Sequence, residues 1–326
     1  MIIVTGGAGF IGSAIVWRLN KMGRSDIIIV DHLGKTEKWK NLVPLKYSDY
    51  FEKDDFLKMI QENKLNYLVN LDAVIHMGAC SATTELDASY LMRNNFEYSK
   101  VLAKFAIERK ARFIYASSAA TYGDGSYGFS DDENELDKLR PLNMYGYSKQ
   151  MFDLWAKQEG VLREAVGLKF FNVFGPNEYH KGEMRSVVSK AFEQVKSTGI
   201  IKLFKSYRPD YKDGEQRRDF IYIKDAVEMV VFFFENRNVN GIYNVGSGEA
   251  NTWNDLAYAI FRSMQIEPRI EYVEMPQAIR EKYQYYTCAV VSKIKSSGYT
   301  GRNTPLQQGV EDYIKNYLLP GKHLGE

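Results

Sequence analysis

Tyr145 and Lys149 stand four apart in NMYGYSKQ, so on a helix they share a face. A tyrosine next to an ammonium can move a proton to or from an alcohol while a hydride leaves the same carbon. Free tyrosine titrates near ~10 and needs a nearby cation to act around neutral pH; Lys149 can supply that charge and also bond a ribose. A lone YxxxK is common by chance, and its ordinary form is an exposed aromatic–lysine pair. Here it follows an apolar segment, 113–116, that runs into SSAATYG, and Ser118 is placed by position to hold a substrate oxygen. A second chemical signal opens the chain in MIIVTGGAGFIG. Gly6, Gly9 and Gly12 are spaced GxxGxxG, which suits a tight strand-to-helix turn with free N–H groups facing a pyrophosphate. The bare pattern is weak. Its context, a strand before it, a helix after it and a second strand ending in acidic Asp31, makes it a dinucleotide signal.

These groups need elements to position them. Residues 2–4 form a β-branched run expected of a strand buried on both faces, and SAIVWRLNKMG reads as a helix ending at Gly23. Strand 27–30 is followed by the polar stretch HLGKTEKWKNL and a short helix near 54–60. Strand 73–76 ends in MGACSATTE, a small-residue turn at a strand's carboxyl end, where open α/β sheets place ligands. A helix over 87–109, strand 113–116, a polar surface loop over 123–142, helix 145–158 and strand 166–171 continue the alternation. The succession predicts an α/β fold, a doubly wound parallel sheet of the Rossmann type. After Gly175 come helix 184–196, strand 201–204 and the polar loop SYRPDYKDGEQRRD. Strand 220–223, helix 225–235 and strand 242–245 then return to the first texture. The expected division is a dinucleotide-binding domain of 1–170 plus 219–248 and a smaller, discontinuous substrate domain of 171–218 plus 249–326. The latter holds a helix from Thr252, strand 270–273, the Tyr-rich segment 283–286 and a final helix over 305–318.

Composition narrows the function classes. A formal charge of +2 on 326 residues gives no field of one sign for nucleic acid or a membrane surface. No apolar run approaches the ~20 residues of a membrane span. The opening strand leaves no segment to read as a signal peptide. Two cysteines, Cys80 and Cys288, cannot build a disulfide framework, which points to a reducing cytoplasm. Cys80 has no organised His/Asp partner and reads as a small buried residue lining the dinucleotide site. The four histidines are scattered, and no metal site is expected.

TGGAGFIG, HMGAC, SSAATYG, YGYSK and FFNVFGP, in this order, resemble the extended short-chain dehydrogenase/reductase superfamily, which contains nucleotide-sugar epimerases and dehydratases. ACSATTE, the Asn pair of MRNNFEYSK, PLNMYGYSK and FNVFGPNEYHKGEMRSV are similar to the branch that inverts carbon six of an ADP-heptose for lipopolysaccharide core precursors. Dehydratases of the group usually carry Asp-Glu after the catalytic serine or threonine; Ala119 and Ala120 follow Ser118 here, which argues against β-elimination. A non-catalytic dinucleotide scaffold typically loses the Tyr or the Lys, and both are present.

The resemblance implies a reversible oxidation to a ketone and return of hydride to the opposite face, with NADP bound throughout and an ADP-heptose as substrate. It makes Tyr145 and Lys181 the two acid/base groups, Lys149 the partner of Tyr145, and Ser118 the neighbour of the substrate oxygen. Taken alone, Lys181 is an ordinary surface lysine. As a base it needs a pKa lowered by burial or a neighbouring cation, for which His180 and Lys149 are candidates. Implied dinucleotide contacts are Gly6, Gly9, Phe10, Ile11, Gly12, Asp31, His32, Lys38, Lys53, Met77, Gly78, Ala79, Cys80, Ser81, Asn94, Tyr145, Lys149, Lys181 and the Val173 backbone. Implied substrate contacts are Ser118, Asn172, Glu183, Lys190, Phe204, Lys205, Ser206, Arg218 and Tyr283. Arg218 is the natural diphosphate partner, although adjacent Arg217 could take the role. Asp31 by itself suits the ribose 2′-OH of NAD, whereas His32, Lys35, Lys38 and Lys53 could surround a 2′-phosphate. The resemblance also implies a closed homo-oligomer.

The chain departs from the expected pattern in places. His32 stands where Asn is expected, Glu183 where a small Ser is expected, and Lys190 where His is expected. The loop over 207–216 is longer than expected. Val290 replaces an Asp that often caps the next helix.

Overall fold

The computed structural model describes residues 1–280 and 283–326. Its strands in chain order are β1 (Ile2–Thr5), β2 (Ile27–Asp31), β3 (Asp49–Glu52), β4 (Ala73–His76), β5 (Arg112–Ser118), β6 (Ala165–Phe170), β7 (Asn172–Phe174), β8 (Ile201–Phe204), β9 (Arg217–Tyr222), β10 (Gly241–Val245), β11 (Ala250–Thr252) and β12 (Ile270–Val273). Seven of them form one parallel sheet in the order β10-β6-β5-β4-β1-β2-β3. Successive residues of β1 enter different cores: Ile2 and Val4 pack on one face, Ile3 on the other. A strand covered on both faces has no polar face to show, which is why the opening reads as a continuous apolar run. The chain order reverses between β1 and β4, and the crevice beyond their carboxyl ends is where such sheets hold ligands.

Several boundaries differ from the sequence reading. Strand β3 lies between the polar stretch over 32–42 and the helix near 54–60, where the sequence pattern assigns no element. It is an edge strand with little buried surface, so its residues Asp-Tyr-Phe-Glu carry no apolar signature. The expected helix over 87–109 contains a π turn, Met92–Glu97, which directs Asn95 inward. The expected strand over 166–171 is β6, and the segment after it forms a further short strand, β7, outside the large sheet, which joins β9 and β11. Arg218 lies on β9, not in the preceding polar loop. The segment over 123–142 is not a free surface loop. Buried Asp131 accepts from Asn244 N–H at 2.9 Å and Glu133 from Ile242 N–H at 2.8 Å, so it seals the β10 edge. Residue 184 belongs to a 3₁₀ turn, and the helix Val187–Thr198 starts later under a Ser186 cap. Val290 is not the cap of the next helix: Val291 holds that position in Ser292–Ser296, with no side-chain bond. The last helix closes at Tyr313 and passes into a π turn, Ile314–Leu318. Among the described residues no helix is long and apolar enough to cross a membrane.

Candidate active site

The turn after β1 is built from backbone. Gly6 has φ +66°, a conformation that favours glycine. A Cβ there would lie 2.7 Å from Gly78 N, and a Cβ on Gly12 would lie 2.0 Å from Gly6 O. The turn therefore presses against the backbone that follows β4 and leads straight into the helix Phe10–Lys21, whose cap, Gly9, offers no side chain. The first N–H groups of that helix are left for an anion. Asp31, 6% exposed, accepts from Ala8 N–H at 2.8 Å, His32 N–H at 2.7 Å and Lys38 Nζ at 2.6 Å. Its carboxylate is thus largely engaged in shaping the turn. A cradle that any side chain would fill, ending on an uncapped helix start, fits the pyrophosphate of a dinucleotide.

A cleft of about 650 Å³ runs from this turn across the carboxyl ends of the strands. Gly6, Gly9, Phe10, Ile11, Gly12, Asp31, Lys38, Met77, Gly78, Ala79, Cys80, Ser81, Ser118, Tyr145, Lys149, Asn172, Val173 and Lys181 all line it. Cys80 is half-buried there, not enclosed as expected. His32 lies outside, exposed, with Nδ1 3.0 Å from Glu52; Lys53 pairs with Asp54 at 2.7 Å. Lys38 is the one cation of the expected 2′-phosphate group that reaches the cleft wall. Asn94, the expected contact, donates to Asn95, and it is buried Asn95 that ties the Cys80 backbone by two 2.9 Å bonds.

Tyr145 and Lys149 ride on the helix Met144–Gln158, whose start is set by Asn143 accepting from Gly146 N–H at 2.8 Å. Burial pushes the Tyr145 phenol up, and the Ser118 hydroxyl beside it pulls it back down. Lys149 is almost wholly buried and donates to Ala116 O at 2.8 Å. Burial lowers its ammonium to about 8, against an opposing pull from Asp153. Burial and nearby Cys80 outweigh the Ser118 hydrogen bond, so the phenol stays above its usual value and the expected lowering by Lys149 does not appear. One further turn along the helix, Asp153 accepts from Ser117 at 2.7 Å, Tyr115 at 3.0 Å and Lys169 at 2.8 Å. Lys169 also donates to Thr121 at 2.6 Å, and Thr121 to the Ser118 carbonyl at 2.8 Å. A fully buried ion pair thus floors the Ser–Tyr–Lys group.

Lys181 lies in the turn Tyr179–Met184, broken at Gly182 (φ 54°). Its Nζ is 5.2 Å from the centre of the Phe10 ring. Burial lowers its pKa and nearby Glu178 raises it. Neither expected cation does the lowering: His180 is itself held neutral by burial, near 4, and Lys149 faces elsewhere.

The remaining expected substrate contacts form a second group, joined to the cleft through Trp253. Arg218, 7% exposed, stacks 5.6 Å from Trp253 and 5.1 Å from Tyr283, and Trp253 Nε1 donates to Tyr283 at 2.9 Å. Among the described residues the guanidinium donates to one neighbouring carbonyl, Arg217 O at 2.8 Å, which leaves donors for an anion. Arg217 itself is exposed. Phe204 packs on Tyr283, Lys205 pairs with Glu274, and Ser206 N–H donates to Asp213. Glu183 is exposed, and its carbonyl takes the Lys190 ammonium at 3.0 Å; neither side chain lines the cleft.

Sheet order, glycine cradle and the Ser–Tyr–Lys group together define a Rossmann-type dinucleotide-binding protein of the extended short-chain dehydrogenase/reductase class. The chain belongs to the NAD dependent epimerase/dehydratase family, whose model matches residues 2–246. It is 57% identical over 318 residues, 98% of either chain, to the ADP-L-glycero-D-manno-heptose-6-epimerase of Nitratidesulfovibrio vulgaris strain Hildenborough. It is 50% identical over 329 residues, again 98% of either, to the protein of that name from Fusobacterium nucleatum. The crystal structure of the Helicobacter pylori ADP-L-glycero-D-manno-heptose-6-epimerase superposes with a TM-score of 0.82 at 28% identity, over 97% of this chain and 95% of that one.

Proposed function

We propose that this chain interconverts ADP-D-glycero-D-manno-heptose and its L-glycero epimer by inverting carbon six, with NADP kept bound. The observation that carries the reading is a complete set of Ser118, Tyr145, Lys149 and Lys181 in one cleft of a chain 57% identical, end to end, to a named ADP-heptose epimerase. The turn over 6–12 and Lys149 would hold the dinucleotide, whose nicotinamide would supply reversible hydride exchange at carbon six with no net redox change. Tyr145 Oη holds the proton of the substrate hydroxyl for one epimer and Lys181 Nζ for the other. Burial of Lys181 favours its neutral, proton-accepting form. Ser118 orients the oxygen, Lys149 bonds the ribose, and Arg218 holds the diphosphate. Lys38 on the cleft wall beside Asp31 is what favours NADP over NAD. The product would serve lipopolysaccharide core synthesis in the cytoplasm, made by a closed homo-oligomer of two-part subunits, 1–170 plus 219–248 and 171–218 plus 249–326.

Denaturing the purified protein and identifying released nucleotide by mass spectrometry, then incubating native protein with ADP-D-glycero-D-manno-heptose, tests this directly. NADP with conversion to the L-glycero epimer is expected. A dinucleotide with no turnover would move the reading to another nucleotide sugar. No bound or bindable dinucleotide would end it.

A further inference from the structure

Lys181 belongs to a short loop held by a few tertiary bonds, and one amide ties it to the dinucleotide turn. Asn41, in the 3₁₀ turn Glu37–Leu42, is 1% exposed. Its Nδ2 donates to Ala8 O at 2.9 Å, in the glycine turn, and to Asn177 O at 3.0 Å, four residues before Lys181; His180 Nδ1 is 3.3 Å away. Its Oδ1, which can only accept, faces His323 Nδ1 at 2.8 Å. Asn177 repeats the pattern. It is fully buried at φ 77°, donates to Ser13 Oγ at 2.9 Å in the helix after the glycine turn, and accepts from Leu324 N–H at 2.9 Å. Asparagine enters that conformation more readily than most residues, and here its two buried bonds hold it there. Two asparagines thus join the turn that cradles the dinucleotide, the loop that carries Lys181, and residues 323–324.

We infer that Asn41 is a positioning residue that registers Lys181 against the dinucleotide turn, so that the lysine keeps its place relative to the hydride-transfer site. The inference rests on the reading of Lys181 as the second acid/base. The Tyr145 side is tied separately: its helix is fixed through Lys149 and Asp153 from the sheet and through Ser148 by Asn95, and none of these bonds involves Asn41. Loss of the Asn41 amide therefore harms one half of the reaction and spares the other.

Asn41→Ala, saturated with dinucleotide, is compared with wild type and with Lys181→Met. The first readout is the rate of modification of each lysine by acetic anhydride, followed by mass spectrometry. Lys181 should label about tenfold faster in Asn41→Ala, with buried Lys149 unchanged. The second is the rate of dinucleotide absorbance change on mixing with each pure ADP-heptose epimer. One epimer should slow by about 10²-fold, the effect of an ångström-scale misplacement, while the other stays within about twofold and serves as the control for folding. Equal slowing with both epimers, or unchanged labelling of Lys181, would overturn the proposal. If Lys181→Met itself slows both epimers alike, the two-base reading fails instead, and the labelling rate still decides whether Asn41 holds the loop.

Discussion

Tyr145 sits in the first turn of a 15-residue helix whose next turns hold Lys149 and Asp153, while Lys181 sits in a 6-residue 3₁₀ turn broken at Gly182. Both line the same cleft. The first is placed by helical repeat and by an ion pair under it; the second by side chains from distant parts of the chain, Asn41, Ser13 and Tyr313 among them. Tyr313 donates to buried Glu178 at 3.0 Å, and Ser186 to the same carboxylate at 2.6 Å, which pins the loop from the side away from Asn41. Two groups proposed to do matched chemistry are thus held with very different redundancy. A helix tolerates loss of one contact because its backbone bonds remain; a short turn has few of those, and each tertiary bond counts for more.

The largest effect that could break this comparison is on turnover. Tyr145→Phe and Lys181→Met should each lower kcat by about 10²–10⁴-fold, the worth of a positioned acid/base, with dinucleotide still released on denaturation. Activity surviving in either variant removes that residue from the chemistry and with it the symmetry of the pair.

The helix side has its own weak point in Lys169. Lys169→Met leaves Asp153 charged and buried with only the Ser117 and Tyr115 hydroxyls, and should cost about 3–5 kcal/mol of stability in urea unfolding. A cost near zero would mean that the pair does not hold up the Tyr145 side. Arg218→Lys should raise KM for the ADP-sugar about tenfold, since a charged hydrogen bond contributes about 1.5–3 kcal/mol, and leave kcat little changed. Arg217→Lys is the control, because Arg217 points to solvent.

The smallest effect is one of pH. Burial disfavours the Lys149 ammonium and brings its pKa down to about 8, so it is charged below that pH and neutral above. The kcat/KM profile should therefore fall on its basic side near pH 8, and Lys149→Arg should carry whatever activity remains to higher pH. A basic limb unmoved by that substitution would assign it to another group.

Much of this was readable in residue order. Gly6, Gly9 and Gly12 between a buried strand and an apolar-periodic helix announced the dinucleotide turn, and the Tyr145–Lys149 spacing announced a shared face. Lys181 came only through likeness to a family, because nothing local distinguishes it from a surface lysine. Asn41 lay inside a polar stretch, HLGKTEKWKNL, with nothing to set its side chain apart from neighbours that are solvated. Asn95 was passed over for Asn94, since the π turn that rotates it inward has no sequence signal. The expected cations around a 2′-phosphate scattered for a similar reason: His32 and Lys53 found carboxylates, Glu52 and Asp54, and only Lys38 turned inward.

Residue order alone therefore carried the alternating α/β plan, the glycine turn and the shared helix face of Tyr145 and Lys149, because each depends on periodicity or steric freedom within a few residues. Folding decided which arginine of the pair is buried, which asparagine is buried, and how Lys181 is held. Those depend on burial and on partners up to 282 residues apart, as with Asn41 and His323, and no local pattern encodes a contact that exists only once the sheet has formed.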